Sequence, residues 1–168
     1  VLIFDQSGSL VDSWGDTNTV PATIHGCVAD RENNVWVTGS EDGILQKYTH
    51  AGKLVMQIGK RGVVDTADGT GKSAPLNASR TQLFYPSGLD IDAGNGDLYV
   101  ADGYGNRRVV VFDREGHFLR QWGRQGTKEE AQAGAAGAFA QIVHCIALSS
   151  AGRVYVCDRQ GDRIQVFD

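Results

Sequence analysis

The sequence predicts an all-β fold, a β-propeller, on two observations. One phrase of strands recurs along the chain, and inside each recurrence two landmark residues keep a fixed separation. Four segments align: VLIFD from Val1 to Asp5, LQKYT from Leu45 to Thr49, VVVFD from Val109 to Asp113 and IQVFD from Ile164 to Asp168. After the first three comes a turn glycine (Gly8, Gly52, Gly116), then a run ending in an apolar residue and glycine: Trp14-Gly15, Ile58-Gly59, Trp122-Gly123. From Phe4, Tyr48 and Phe112 to that apolar residue the separation is ten residues each time.

Upstream of each later aromatic lies a second matched pair of runs. Val35-Trp36-Val37, Leu98-Tyr99-Val100 and Val154-Tyr155-Val156 are short β-branched and aromatic strands entered through polar or glycine turns. Before them sit Cys27-Val28-Ala29, Leu89-Asp90-Ile91 and Ile146-Ala147-Leu148, expected to be the innermost strands. The unit is therefore four short strands joined by Gly, Asn and Asp turns. A single sheet of that size cannot bury both of its faces, whereas radial stacking of such sheets does. A sandwich would not repeat one four-strand phrase, and a parallel solenoid would need a shorter period. The blades are expected at 1–15, 24–59, 86–123 and 142–168, the first and last incomplete. About three blades leave sheet edges open, so the chain reads as one partial propeller domain of a larger ring. Residues 59–83 form a long excursion between blades, and the Ala- and Gly-rich stretch 128–141 reads as a helical turn or a loop.

Composition bounds the function classes. The 168 residues carry a formal net charge of −4 with no basic stripe, which argues against nucleic acid as the main partner. No apolar run approaches the roughly 20 residues of a membrane span. Cys27, Cys145 and Cys157 form no CxxC pair, and are expected to be small, mostly buried apolar side chains rather than a disulfide framework.

The phrases Tyr99-Val100-Ala101-Asp102, Arg107 to Phe112 and Phe118 to Gly123 resemble NHL repeats, and that resemblance covers nearly the whole chain. Within that class, the stretches Asp102 to Arg108 and Asp158 to Gln165 are similar to the peptidyl-α-hydroxyglycine α-amidating lyases, with a further match at His25-Gly26. The resemblance implies a six-bladed ring that cleaves a C-terminal hydroxyglycine to a peptide amide and glyoxylate. It implies zinc on the propeller axis, held by histidines of three blades: His25, His144 and a third beyond this chain. Tyr104 matches the catalytic tyrosine and Arg159 an active-site arginine, while Cys27 takes the position of a backbone carbonyl on a structural calcium. An extracytoplasmic location is favoured on the same ground. Two cysteine pairs of that family are replaced here at both ends, one by Phe84 and Gly105, the other by Tyr155 and Val166.

The residues can also be weighed alone. His25 precedes Trp36, and His144 precedes Tyr155, by 11 residues, so the two occupy one position in two blades. Equivalent inner-strand positions face one channel, where paired imidazoles either begin a zinc site or merely satisfy hydrogen bonds. Ser87 fills that position in the blade between them. Tyr104 lies in an Asp-Gly-Tyr-Gly-Asn loop one residue longer than its counterpart at Glu41-Asp42-Gly43, as a base or as a rim aromatic. Arg159 would hold a substrate carboxylate or make an inter-blade ion pair. Gly69 to Ser73 lacks the first glycine of a phosphate loop, and Asn77-Ala78-Ser79 is a glycosylation sequon. His50 and His117 sit beside turn glycines and are expected to be solvated. The leading expectation is a zinc-dependent lyase acting on a small peptide-like substrate. The alternative is a non-catalytic scaffold whose propeller face binds a protein or peptide.

Overall fold

The computed structural model describes residues 1–74 and 77–168. Two four-stranded antiparallel sheets form its centre. One contains β3 (Ile24–Ala29), β4 (Val35–Gly39), β5 (Ile44–Tyr48) and β6 (Leu54–Ile58), and the other contains β7 (Pro86–Ile91), β8 (Leu98–Asp102), β9 (Arg108–Phe112) and β10 (Phe118–Trp122). Ahead of them lies the hairpin β1 (Leu2–Phe4) and β2 (Leu10–Ser13). Beyond them come a short parallel pair, β11 (Arg124–Gln125) with β12 (Ala138–Phe139), and a three-stranded sheet of β13 (Val143–Leu148), β14 (Val154–Asp158) and β15 (Arg163–Phe167). Within each antiparallel sheet the strands lie in chain order, each joined to the next by a short turn or loop. These are propeller blades. The first strands β3, β7 and β13 neighbour one another, as inner strands around an axis do.

The ten-residue rule has a packing cause. The residue before the closing glycine ends the outer strand and packs on the third-strand aromatic of the next blade. Trp14 meets Tyr48 at 5.0 Å between ring centroids, and Trp122 meets Phe167 at 5.5 Å. Ile58 and Phe112 share one core cluster with Leu45, Leu89 and Val110. A second cluster, with Val109, Val143, Ile146 and Val156, fills the next interface. The turn between third and fourth strands needs a left-handed residue, which Gly116 supplies at φ 89°.

The stretch 128–141 contains α1 (Lys128–Gln132), started by a capping box between Thr127 and Glu130. The excursion after β6 is tied down by a buried polar network. Asp65 accepts hydrogen bonds from the Ala78 and Ser79 N–H groups and from Asn106, and Arg108 spans Asp102, Gln121 and the carbonyls of Ser79 and Gln82. Asn77, at φ 55°, donates through Nδ2 to the carbonyls of Arg107 and Gly123, so the amide of the sequon is engaged inside the fold.

The expectation for the cysteines is corrected. Cys145 and Cys157 form a disulfide across β13 and β14, and Cys27 is free and exposed. The register that pairs Ile146 with Val156 carries one step further to set Cys145 opposite Cys157, 5.0 Å apart at Cα. The replaced positions Tyr155 and Val166 are likewise direct partners, in β14 and β15.

Candidate functional site

Each inner strand breaks register at one place. In β3 the shift lies between Ile24 and Cys27, in β7 between Pro86 and Gly88, and in β13 between Val143 and Ile146. These bulges hold His25, Ser87 and His144. A bulge leaves its residues out of the ladder and re-aims their side chains, those of His25 and His144 here toward the axis. The Thr38 hydroxyl supports the first one, accepting the Gly26 N–H at 2.7 Å. Buried Ser87 does not point to the site: its hydroxyl lies 3.0 and 2.7 Å from the carbonyls of Ala101 and Val143, clipping two blades together.

His25 and His144 come within 5.3 Å between ring centroids. His25 Nδ1 lies 2.6 Å from the Ser87 carbonyl, which can only accept, so Nδ1 carries a proton and Nε2 is the nitrogen turned to the site. That Nε2 is 3.3 Å from the Tyr104 hydroxyl, and His144 Nε2 is 3.1 Å from the same oxygen. Arg159 Nη1 donates to it at 3.5 Å from the 3-10 turn Arg159–Gly161 that follows β14. Three side chains from the two flanking blades thus meet on one phenol oxygen. Burial lowers the pKa of His144, and the neighbouring His25 and Arg159 add to the effect, so the neutral, lone-pair-bearing form of His144 is favoured.

The donor set suits a zinc ion in part. Two imidazoles face one another, and one has its second nitrogen oriented by a carbonyl, as ligating histidines do. No group of three or more His, Cys, Asp or Glu side chains able to hold a metal occurs among the described residues. The exposed Cys27 thiol therefore joins no such group. Its resemblance-derived role concerns the backbone carbonyl alone.

The loop bearing Tyr104 is held from below. The N–H groups of Tyr104, Gly105 and Asn106 donate to the carbonyls of Tyr85 and Phe84, and Asn106 reaches back to Asp65 and Asp102. Both glycines are steric requirements. A Cβ on Gly103 would stand 2.0 Å from the Val143 carbonyl oxygen, and one on Gly105 would stand 2.1 Å from the Phe84 ring. Arg107 also grips this loop, which the sequence reading missed. The adjacent pair Arg107-Arg108, of which Arg108 is fully buried, was the available signal.

The class these observations define is a β-propeller carrying the NHL repeat. Residues 85–112, from the start of β7 to the end of β9, match the NHL repeat itself. The whole chain is 32% identical over 174 aligned positions to NHL repeat-containing protein 3 of Homo sapiens, of which it covers 45%. Over 85% of its length it is 28% identical to peptidyl-alpha-hydroxyglycine alpha-amidating lyase 1 of Drosophila melanogaster, covering 25% of that protein. The chain thus spans less than half the length of these relatives. Among solved structures, a streptogramin B lyase aligns with 98% of the chain and 46% of its own, at TM-score 0.60 and 14% identity, a likeness of fold. No helix among the described residues is long and apolar enough to cross a membrane.

Proposed function

We propose that this chain carries the central site of a metal-dependent lyase acting on a C-terminal α-hydroxyglycine or a close chemical relative. The observation that supports the reading is the meeting of His25, His144 and Arg159 on the Tyr104 oxygen. Zinc held by His25 and His144, with a third ligand from outside this chain, would supply Lewis acidity toward the substrate hydroxyl. Tyr104 Oη, acting as the phenolate that a cation on the axis would favour, takes the hydroxyl proton as the carbon–nitrogen bond breaks. The carbonyl of glyoxylate forms and the leaving amide nitrogen takes up a proton. Arg159, exposed beside the phenol, pairs with the substrate carboxylate. Calcium at the Cys27 carbonyl belongs to the same proposal as a structural ion.

A second reading has its own support. A relative matched along the whole chain is named only for its repeat. A propeller whose face binds a protein or peptide without turnover fits that name.

Glyoxylate release from an α-hydroxyglycine peptide by the complete polypeptide separates the two, with bound zinc measured alongside. Tyr104→Phe should lower turnover by about a hundredfold or more while leaving zinc content and folding in place, since it removes one oxygen that acts on the reacting proton. His144→Ala should instead lower zinc occupancy. Wild-type protein that holds no metal and releases no glyoxylate would decide for the scaffold.

A further inference from the structure

Arg107 stands where β8 turns into β9, one residue beyond the loop that carries Tyr104. Its side chain folds back under that loop. A single nitrogen, Nη1, lies 3.0, 3.4, 2.7 and 2.6 Å from the carbonyl oxygens of Gly103, Tyr104, Gly105 and Asn106. Four successive carbonyls aimed at one point repel one another unless a cation occupies it. The arrangement is expensive for the arginine. Its Nε is buried with no hydrogen-bond partner among the described residues, and burial lowers its pKa from the ordinary arginine value. A surface guanidinium gains nothing from such a placement, whereas a loop whose shape matters does.

The geometry points to Arg107 as the positioning residue for Tyr104: its guanidinium closes the Gly103–Asn106 loop around one charge and so sets the phenol on the two imidazoles. The inference rests on the proposed role of Tyr104, and it adds a specific cause for that residue's placement. The backbone at Arg107 is fixed separately, because its N–H donates to Asn77 Oδ1 at 3.0 Å and its carbonyl accepts from Asn77 Nδ2 at 3.2 Å. Removing the charge therefore frees the loop without freeing the strand. Phe84 packs against Gly105 on the far side of the loop but offers the loop carbonyls no donor.

The test replaces Arg107 in the complete polypeptide by Met, which keeps an unbranched stem, and by Lys, which keeps a cation able to reach the same point. Amide hydrogen exchange is read at Tyr104, Gly105 and Asn106 against β8 and β9. Arg107→Met should speed exchange in the loop by about tenfold or more and leave the two strands protected as in wild type. Its kcat for glyoxylate release should fall by about tenfold to a hundredfold with KM within about twofold, the mark of a misplaced group rather than a lost substrate contact. Arg107→Lys should keep most of both properties, and added guanidinium should restore part of the Arg107→Met activity. If Arg107→Met fails to fold, Arg107→Gln, which keeps donors but not charge, takes its place. Loop exchange unchanged from wild type in the charge-removed variant overturns the inference, whatever the activity. A wild type without lyase activity instead sinks the reading of Tyr104 and leaves the exchange result standing.

Discussion

Phe84 and Gly105 show how one residue's identity depends on another's volume. The ring of Phe84 fills the space in which a side chain at position 105 would begin, and the Phe84 carbonyl accepts from the Gly105 and Asn106 N–H groups. Glycine is thus demanded by packing, since its φ is not in the left-handed region. Gly105→Ala is expected to destabilise the protein by about 1–3 kcal/mol, the usual cost of overpacking. The penalty should shrink when Phe84→Leu is introduced with it, because the clash is shared by the two residues. Urea denaturation of the two single variants and the double variant measures this. Equal penalties in both backgrounds would show that the ring is not what excludes a Cβ. At this scale the sequence was legible in part. The equal spacing of His25 and His144 from Trp36 and Tyr155 located the imidazoles, because equivalent positions in a repeat share a direction. Spacing could not reveal Arg107, whose role comes from where a long flexible side chain folds back. Nor could it reveal that Ser87 faces a neighbouring blade through a hydroxyl bond rather than the axis.

Strands and their order were legible because apolar alternation and turn residues are local signals. The bulges were not, since a one-residue slip depends on the partner strand and leaves composition untouched. The Cys145–Cys157 bridge lay between these cases. Its spacing about the Ser149–Arg153 turn puts the two opposite in a plain hairpin, a geometric signal that counting CxxC motifs passes over. The turn between β3 and β4 offers a quantitative check at this scale. Asp30 closes it by accepting from Asn34 and Trp36 and pairing with Lys47 at 2.9 Å across the sheet. Burial works against the carboxylate, yet Lys47, Asn34 and Trp36 outweigh it and bring its pKa from 3.8 down to about 2. A carboxyl more acidic in the folded state contributes stability that is full above its unfolded value and fades as pH falls toward the folded one. Asp30→Asn should therefore cost about 2 kcal/mol near neutral pH. The difference from wild type should close between pH 3.8 and about 2. Denaturant midpoints of both proteins against pH test this, and a difference that persists undiminished to the acid end would assign the effect to packing.

Across the whole molecule, stability is carried by interfaces between successive blades rather than by one central core. Each interface uses the same device, an outer-strand residue of one blade against the third-strand aromatic of the next, and the two buried clusters lie on either side of the sheet formed by β7 to β10. Repeat architectures of this kind distribute their energy among nearest-neighbour contacts. Trp122 sits between Tyr99 of its own sheet, at 6.4 Å, and Phe167 of the following one, at 5.5 Å. Trp122→Ala should cost about 3 kcal/mol, at the lower end for a large aromatic because the side chain is only partly buried. The loss should be local. Amide exchange should rise in β13 to β15 and in β10, which lose the shared face, and change little in β3 to β6, whose interface rests on Trp36, Leu45 and Ile58. The site provides an internal gauge of the same effect. His144 leaves from β13 and His25 from β3, so loosening one interface should release the His144 side of the phenol cluster while the His25–Ser87 bond stays closed. Proton resonances of the two imidazoles report each side separately. Loss of protection spread evenly through all the sheets would mean instead that the blades unfold as one unit, and that the axis, not the interfaces between neighbours, sets the cooperativity of the fold.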